Sequence, residues 1–208
     1  MKTYFLFFFF FSAILYSQKT KEIKYFDKEY KQISKNKYFR QTEGVNWLGV
    51  IGDSVNHRLV VERWKSGNIK NKRELDSLME LAIENKIDSS KILTIIYHPG
   101  IDPCNSSGSA TAISKKKWHD ELTEKLLKIT KSEPIYIFKN NSGLLRNSYL
   151  LPWFRDPNRI VEKLFFKYHY PCSSFVVISP NGDYISYFGE FPKEYVWEAA
   201  KRLAKKNR

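Results

Sequence analysis

Cys104 and Cys172 are the only two cysteines of the chain, and sulfur chemistry is the chemistry its residues are best placed to do. Cys104 lies in the loop His98-Pro-Gly-Ile-Asp-Pro-Cys-Asn-Ser-Ser107, just after an apolar run from Ile92 to Tyr97. Cys172 lies in Tyr170-Pro-Cys-Ser-Ser174, immediately before a second apolar run from Ser174 to Ser179. Thiols held at one edge of a sheet can close a structural disulfide, or exchange one with a substrate through a mixed intermediate. They can also stay unpaired. His98 and Asp102 lie near Cys104, and His169 lies near Cys172, so two histidines, a carboxylate and two thiols can in principle converge on zinc. Their spacing matches no standard ligand pattern, and the expectation is no metal and no cofactor.

Other chemistries find less support. There is no Gly-rich phosphate loop and no G-x-S-x-G elbow. Ser106 to Ser109 form a small-residue loop without a visible base. Asp53 and Glu62 read as turn and edge-strand residues, not as a paired acid and base. His57 and His119 read as exposed and without partners.

The elements that must position the cysteines follow from hydrophobic period. Trp47–Ile51 and Arg58–Trp64 flank a turn-rich spacer and predict a hairpin. Leu75, Leu78, Met79, Ala82 and Ile83 follow helical spacing over 73–85, with Asn71 or Asn68 as cap. Lys91–Tyr97 is a nearly continuous apolar strand of the kind buried on both faces of a parallel sheet. A helix capped by Ser114 runs to about Thr130, and Pro134–Lys139 forms the next strand. Asp156-Pro157 opens a third helix with proline at its first position. Ser174–Ser179, the turn Pro180-Asn181-Gly182 and Asp183–Gly189 form a hairpin. The last helix starts near Pro192 and Glu194 and ends in cations that complement its C-terminal partial charge. Alternating strands and helices predict an α/β fold with right-handed crossovers.

This order, with the segment SFVVISPNGDYISYFGEFPKEYVWEAAKRL, resembles the thioredoxin-like family over about residues 58–208. The resemblance implies a three-layer α/β sandwich, a mixed central sheet with a C-terminal hairpin and helix, in a domain spanning 47–208. It further implies Cys104 as attacking thiol, Cys172 as resolving thiol and Pro171 as the cis-proline of the facing loop. The chain departs from the family at the centre of that site. It carries Cys104-Asn-Ser-Ser107 where the family has Cys-x-x-Cys, and a stretch rich in Ser, Gly and Ala precedes the next helix. A thiol gains reactivity from a helix N-terminus, and Cys104 stands well upstream of one. The implied function is therefore a binding or structural module stapled by Cys104 and Cys172, with a thiol–disulfide oxidoreductase as the alternative.

Composition sets the address and the partners. Residues 1–17, MKTYFLFFFFFSAILYS, have a positive start, an apolar centre and a small residue before a polar stretch, which predicts a cleaved signal peptide. The apolar run is shorter than the roughly 20 residues that span a bilayer. The expected location is the periplasm or the medium, with no stable membrane insertion. Residues 18–46 read as an N-terminal extension, in which KYFDKEYKQISKNKYFR resembles the opening of exported flavobacterial proteins. The net charge of +13 is spread over Lys19–Lys37, Lys65–Arg73, Lys115–Lys117 and Lys201–Arg208. No nucleic-acid motif accompanies it, so the expected partner is a protein or a thiol substrate rather than nucleic acid, and the expected state is a monomer. Leu144–Phe154 is apolar without helix caps and is expected to cover the cysteine loops or pack on the third helix.

Overall fold

The computed structural model describes residues 22–106, 111–144 and 150–206. The signal peptide expected at 1–17 lies outside them, as do residues 107–110 and 145–149. No helix of the described residues is long and apolar enough to cross a membrane.

The chain builds two mixed sheets where its sequence predicts one. The smaller sheet contains β1 (Lys24–Phe26), β2 (Gln32–Ile33), β3 (Trp47–Ile51) and β4 (His57–Glu62), with α1 (Lys35–Thr42) beside them. Its order is β2-β1-β4-β3. The predicted hairpin is β3–β4, antiparallel from Trp47 opposite Glu62 to Ile51 opposite Arg58. Residues read as a separate extension supply β1 and β2, and β1 runs parallel to β4. Aromatic packing explains this recruitment: buried Tyr38 of α1 packs on Tyr25 of β1, with ring centroids 5.0 Å apart.

The sheets part at Arg63. The predicted strand 58–64 breaks there, and β5 (Trp64–Asn68) joins the larger sheet instead. Arg63 holds the junction from both sides. Its guanidinium donates to the carbonyls of Trp47 and Phe188, and its own carbonyl accepts the Phe188 N–H at 2.9 Å.

The larger sheet adds β6 (Leu93–His98), β7 (Pro134–Phe138), β8 (Trp153–Arg155), β9 (Ser174–Ile178) and β10 (Asp183–Tyr187). Its order is β5-β10-β9-β6-β7-β8. β6, β7 and β8 are mutually parallel, while β9 runs antiparallel to β6 and β10 antiparallel to β9. The helices are α2 (Lys72–Ile83), the short α3 (Pro103–Ser106), α4 (Ala112–Thr130), α5 (Ile160–Phe165) and α6 (Lys193–Lys206).

Period-two alternation divides the central strands between two cores. Ile95, Tyr97, Val176 and Ile178 face α2, α5 and the smaller sheet, against Leu75, Met79, Val161 and Leu59. Ile96, Phe175, Val177 and Ile185 face α4 and α6, against Leu122, Leu126, Val196 and Leu203. The mixed α/β reading thus holds, with a second sheet added to one layer.

Local signals set the element ends. The Asn71 side chain caps α2 by accepting the Glu74 N–H. Thr111, not Ser114, caps α4. Asp156 is buried and accepts the N–H groups of Val161 and Glu162 at 3.0 and 2.9 Å. Pro157 itself enters a 3-10 turn, Pro157–Arg159, ahead of α5. Burial pushes the Asp156 carboxyl up from its ordinary range, and these two donors oppose that push. Gly182 turns the terminal hairpin at φ +86°, where an added Cβ would meet the Ile69 carbonyl oxygen, so only glycine fits. The cationic end of α6 is partly paired through Lys206 to Asp183 at 2.7 Å.

Candidate functional site

Three loops meet at the C-terminal ends of β6 and β7. The first follows β6 and carries α3, the second precedes β9, and the third joins β10 to α6. Cys104 and Cys172 are joined there as a disulfide, with Cα atoms 5.1 Å apart. The sequence-level inference that remote thiols meet at one sheet edge is met, and both cysteines are half-buried.

Asp102 and Asn105 hold the two cysteine loops together. Asp102 Oδ1 accepts the Asn105 N–H at 3.0 Å, and Asn105 Oδ1 accepts the Asp102 N–H at 3.0 Å. Asn105 Nδ2 donates to the Gly100 carbonyl at 2.8 Å and reaches across to the Cys172 carbonyl at 3.3 Å. Asp102 Oδ2 accepts the Cys172 N–H at 2.9 Å and lies 3.1 Å from His169 Nε2. Asp102 is thus the cap of α3 and the anchor of the opposite loop at once. The Asp-Pro signal used at 156–157 recurs at Asp102-Pro103, and it could have revealed this cap.

The expected cis-proline at Pro171 is corrected: among the described residues no peptide bond is cis. The loop reverses instead at Cys172, which adopts a left-handed φ of +64°. The Asp102 carboxylate satisfies the Cys172 N–H in that conformation.

The electrostatics at the sulfurs differ from those of an activated thiol. Glu190 Oε2 lies 3.9 Å from Cys104 Sγ, and the Asp102 carboxylate lies within 4.8 Å of both sulfurs. Cys104 stands in the first turn of the short α3 and not well upstream of a helix as expected, but a thiolate there would face two carboxylates, which oppose the gain in reactivity a helix N-terminus gives.

Beside the disulfide opens a cavity of about 280 Å³. Trp118 and His119 of α4, Trp153 of β8 and Phe191 line it, with Lys115 and Glu190 among its polar groups. The apolar segment ending at Phe154 therefore reaches the cysteine loops through Trp153, while Phe154 packs against the opposite core. Trp118, Phe191 and Glu190 escaped the sequence reading because they lie on elements remote from the cysteines along the chain.

The histidines are placed differently from expectation. His119 is half-buried, with Nδ1 3.2 Å from the Tyr136 hydroxyl and its ring edge-on to Trp118. His57 packs against Phe26 with centroids 4.8 Å apart. His98 is buried, with Nε2 2.9 Å from the Ser142 carbonyl oxygen. Asp53 and Glu62 form separate surface pairs with Lys167 and Lys28 at 3.0 and 2.8 Å, as their non-catalytic reading requires.

Burial pushes His119 down from 6.5 to about 4, so it is neutral at pH 7. Its protonation favours the unfolded chain, whose histidine has the higher pKa. Its contribution to stability is therefore complete above about pH 6.5 and is lost as pH falls toward 4, up to about 3 kcal/mol. Urea unfolding at pH 7.5, 5.5 and 4.5 should show that loss, and His119→Gln should reduce it. Burial lowers His98 in the same direction, so a residual slope is expected in the variant.

Comparison of the chain with protein-family models, with curated proteins and with solved structures finds no match. What the geometry itself defines is a mixed α/β protein with a disulfide across two loops at a sheet edge and an aromatic-lined cavity beside it.

Proposed function

We propose that this is an exported binding module of thioredoxin-like architecture in which Cys104 and Cys172 form a structural staple without exchange activity. The succession β6-α3-α4-β7-β8-α5, completed by the β9–β10 hairpin and α6, supports the architectural reading. A disulfide persists in oxidising compartments, which fits the signal-like start of the chain. The cavity walls formed by Trp118, Trp153 and Phe191 offer a protein partner a place for an apolar group, with Lys115 and Glu190 at hand for its polar ones.

One observation carries the staple reading: the carboxylates of Glu190 and Asp102 both stand within 4.8 Å of Cys104 Sγ. Exchange enzymes become oxidising when their reduced form is stabilised, and repulsion of a thiolate by Glu190 and Asp102 works against that. Equilibration with dithiol redox buffers should therefore give a potential below about −300 mV, and no catalysed reduction of a disulfide-bonded peptide. A potential in the range of exchange enzymes, about −120 to −270 mV, together with turnover lost in Cys104→Ser, would establish the oxidoreductase instead. The half-exposed position of the disulfide at the cavity wall is the observation that keeps that second reading in view.

A further inference from the structure

We propose that the reduced protein binds one zinc ion where the disulfide now sits, through Cys104, Cys172, Asp102 and His169. This goes beyond the staple reading, which concerns the oxidised chain only.

Three of the four donors are already assembled, and the fourth touches one of them. One carboxylate oxygen of Asp102 and both sulfurs lie within 4.8 Å of one another. His169 Nε2 lies 3.1 Å from Asp102 Oδ2. In tetrahedral zinc sites, bonds of about 2.0–2.3 Å place neighbouring ligand atoms roughly 3.3–3.8 Å apart. The oxygen and nitrogen are thus close to their final separation; after reduction the sulfurs must move apart and the half-exposed His169 side chain must turn toward them. Each loop supplies two donors at chelating spacing, Asp102-Pro-Cys104 from one side and His169-Tyr-Pro-Cys172 from the other. His98 is excluded, since its buried ring is engaged with the Ser142 carbonyl.

The surroundings fit a dication. The Asp102 side chain is only 7% exposed and is oriented by the N–H groups of Asn105 and Cys172, the support that fixes a metal-bound carboxylate. Glu190 adds a further negative charge 3.9 Å from Cys104 Sγ. The field that repels free thiolates is offset by a bound cation. Two sulfurs with an imidazole select a borderline-soft ion over calcium or magnesium.

The chemistry balances. A dithiol reductant delivers two electrons and two protons to the Cys104–Cys172 bond and is itself oxidised to a disulfide. Zinc then replaces the two thiol protons, which are released to solvent.

The test uses the full chain, reduced anaerobically with a dithiol, freed of reductant, loaded with zinc and challenged with a chromophoric chelator. We expect one zinc per reduced chain and none on the oxidised chain. Asp102→Asn and His169→Ala should each weaken retention at least tenfold while both thiols remain titratable. Cobalt in place of zinc should show thiolate charge-transfer absorption and tetrahedral d–d bands. If the reduced chain unfolds, zinc should restore its circular dichroism in the wild type and not in His169→Ala. Equal zinc on reduced and oxidised protein overturns the proposal. So does unchanged affinity in both variants, which would reduce the site to a bare dithiol. The potential of the oxidised protein decides the staple reading separately.

Discussion

Replacing Cys104 by serine should cost about 4 kcal/mol of stability in non-reducing buffer, the cost expected from reopening a loop with a sequence separation of 68. The crosslink acts by restricting the unfolded chain, so the loss appears whichever cysteine is removed. Cys172→Ser and the double variant should match the single variant, and reduced wild-type protein should fall to the same level. Denaturant unfolding checks this directly, and a melting temperature lower by roughly 10 °C should accompany it. The hydrogen bonds of Asp102 and Asn105 across the loops go to backbone groups of residue 172, which every variant keeps, so the difference is expected to isolate the covalent bond. A change below about 1 kcal/mol would mean that the disulfide is no staple.

Phe175→Ala should be comparably damaging, by about 3–5 kcal/mol, for a different reason. Phe175 is completely buried in β9, an interior strand of the larger sheet, and packs against three aromatic rings. Its ring meets Phe191 edge-on at 4.8 Å, lies parallel to Tyr187 at 6.0 Å, and meets Trp64 edge-on at 6.0 Å. Removing it opens a cavity between the larger sheet and α6 and takes away the support of Phe191, a wall of the site beside the disulfide. Denaturant unfolding should show the stability loss. Under conditions where the variant is still folded, tryptophan fluorescence from Trp118 and Trp153 should change. Phe175→Leu should recover most of the stability because it refills most of the volume.

How much of this was legible beforehand varies by element. β9, the Pro180-Asn181-Gly182 turn, β10 and α6 were all readable, because a two-residue period, an Asn-Gly pair and a helical stripe act over a few neighbouring residues. The α2 cap at Asn71 was readable for the same reason. Of the smaller sheet only the β3–β4 hairpin was readable: β1 reaches β4 by parallel pairing across more than thirty residues of chain, with Lys24 opposite His57, and no local pattern specifies that partner. β8 was missed because three residues, Trp153–Arg155, are too few to show alternation. Pro171 was assigned a cis bond by resemblance alone, whereas the turn is made one residue later by Cys172.

By itself the amino-acid sequence determined the mixed α/β class and set each cysteine in a loop beside an apolar strand, since both follow from short-range periodicity. Only the tertiary structure decided what surrounds those sulfurs. Asp102 arrives with Cys104 as a helix cap, Glu190 from the loop before α6, and Trp153 from an edge strand. Electrostatics and packing act through space at distances of a few ångströms, and the residues that set them at this site are as many as 86 positions apart along the chain.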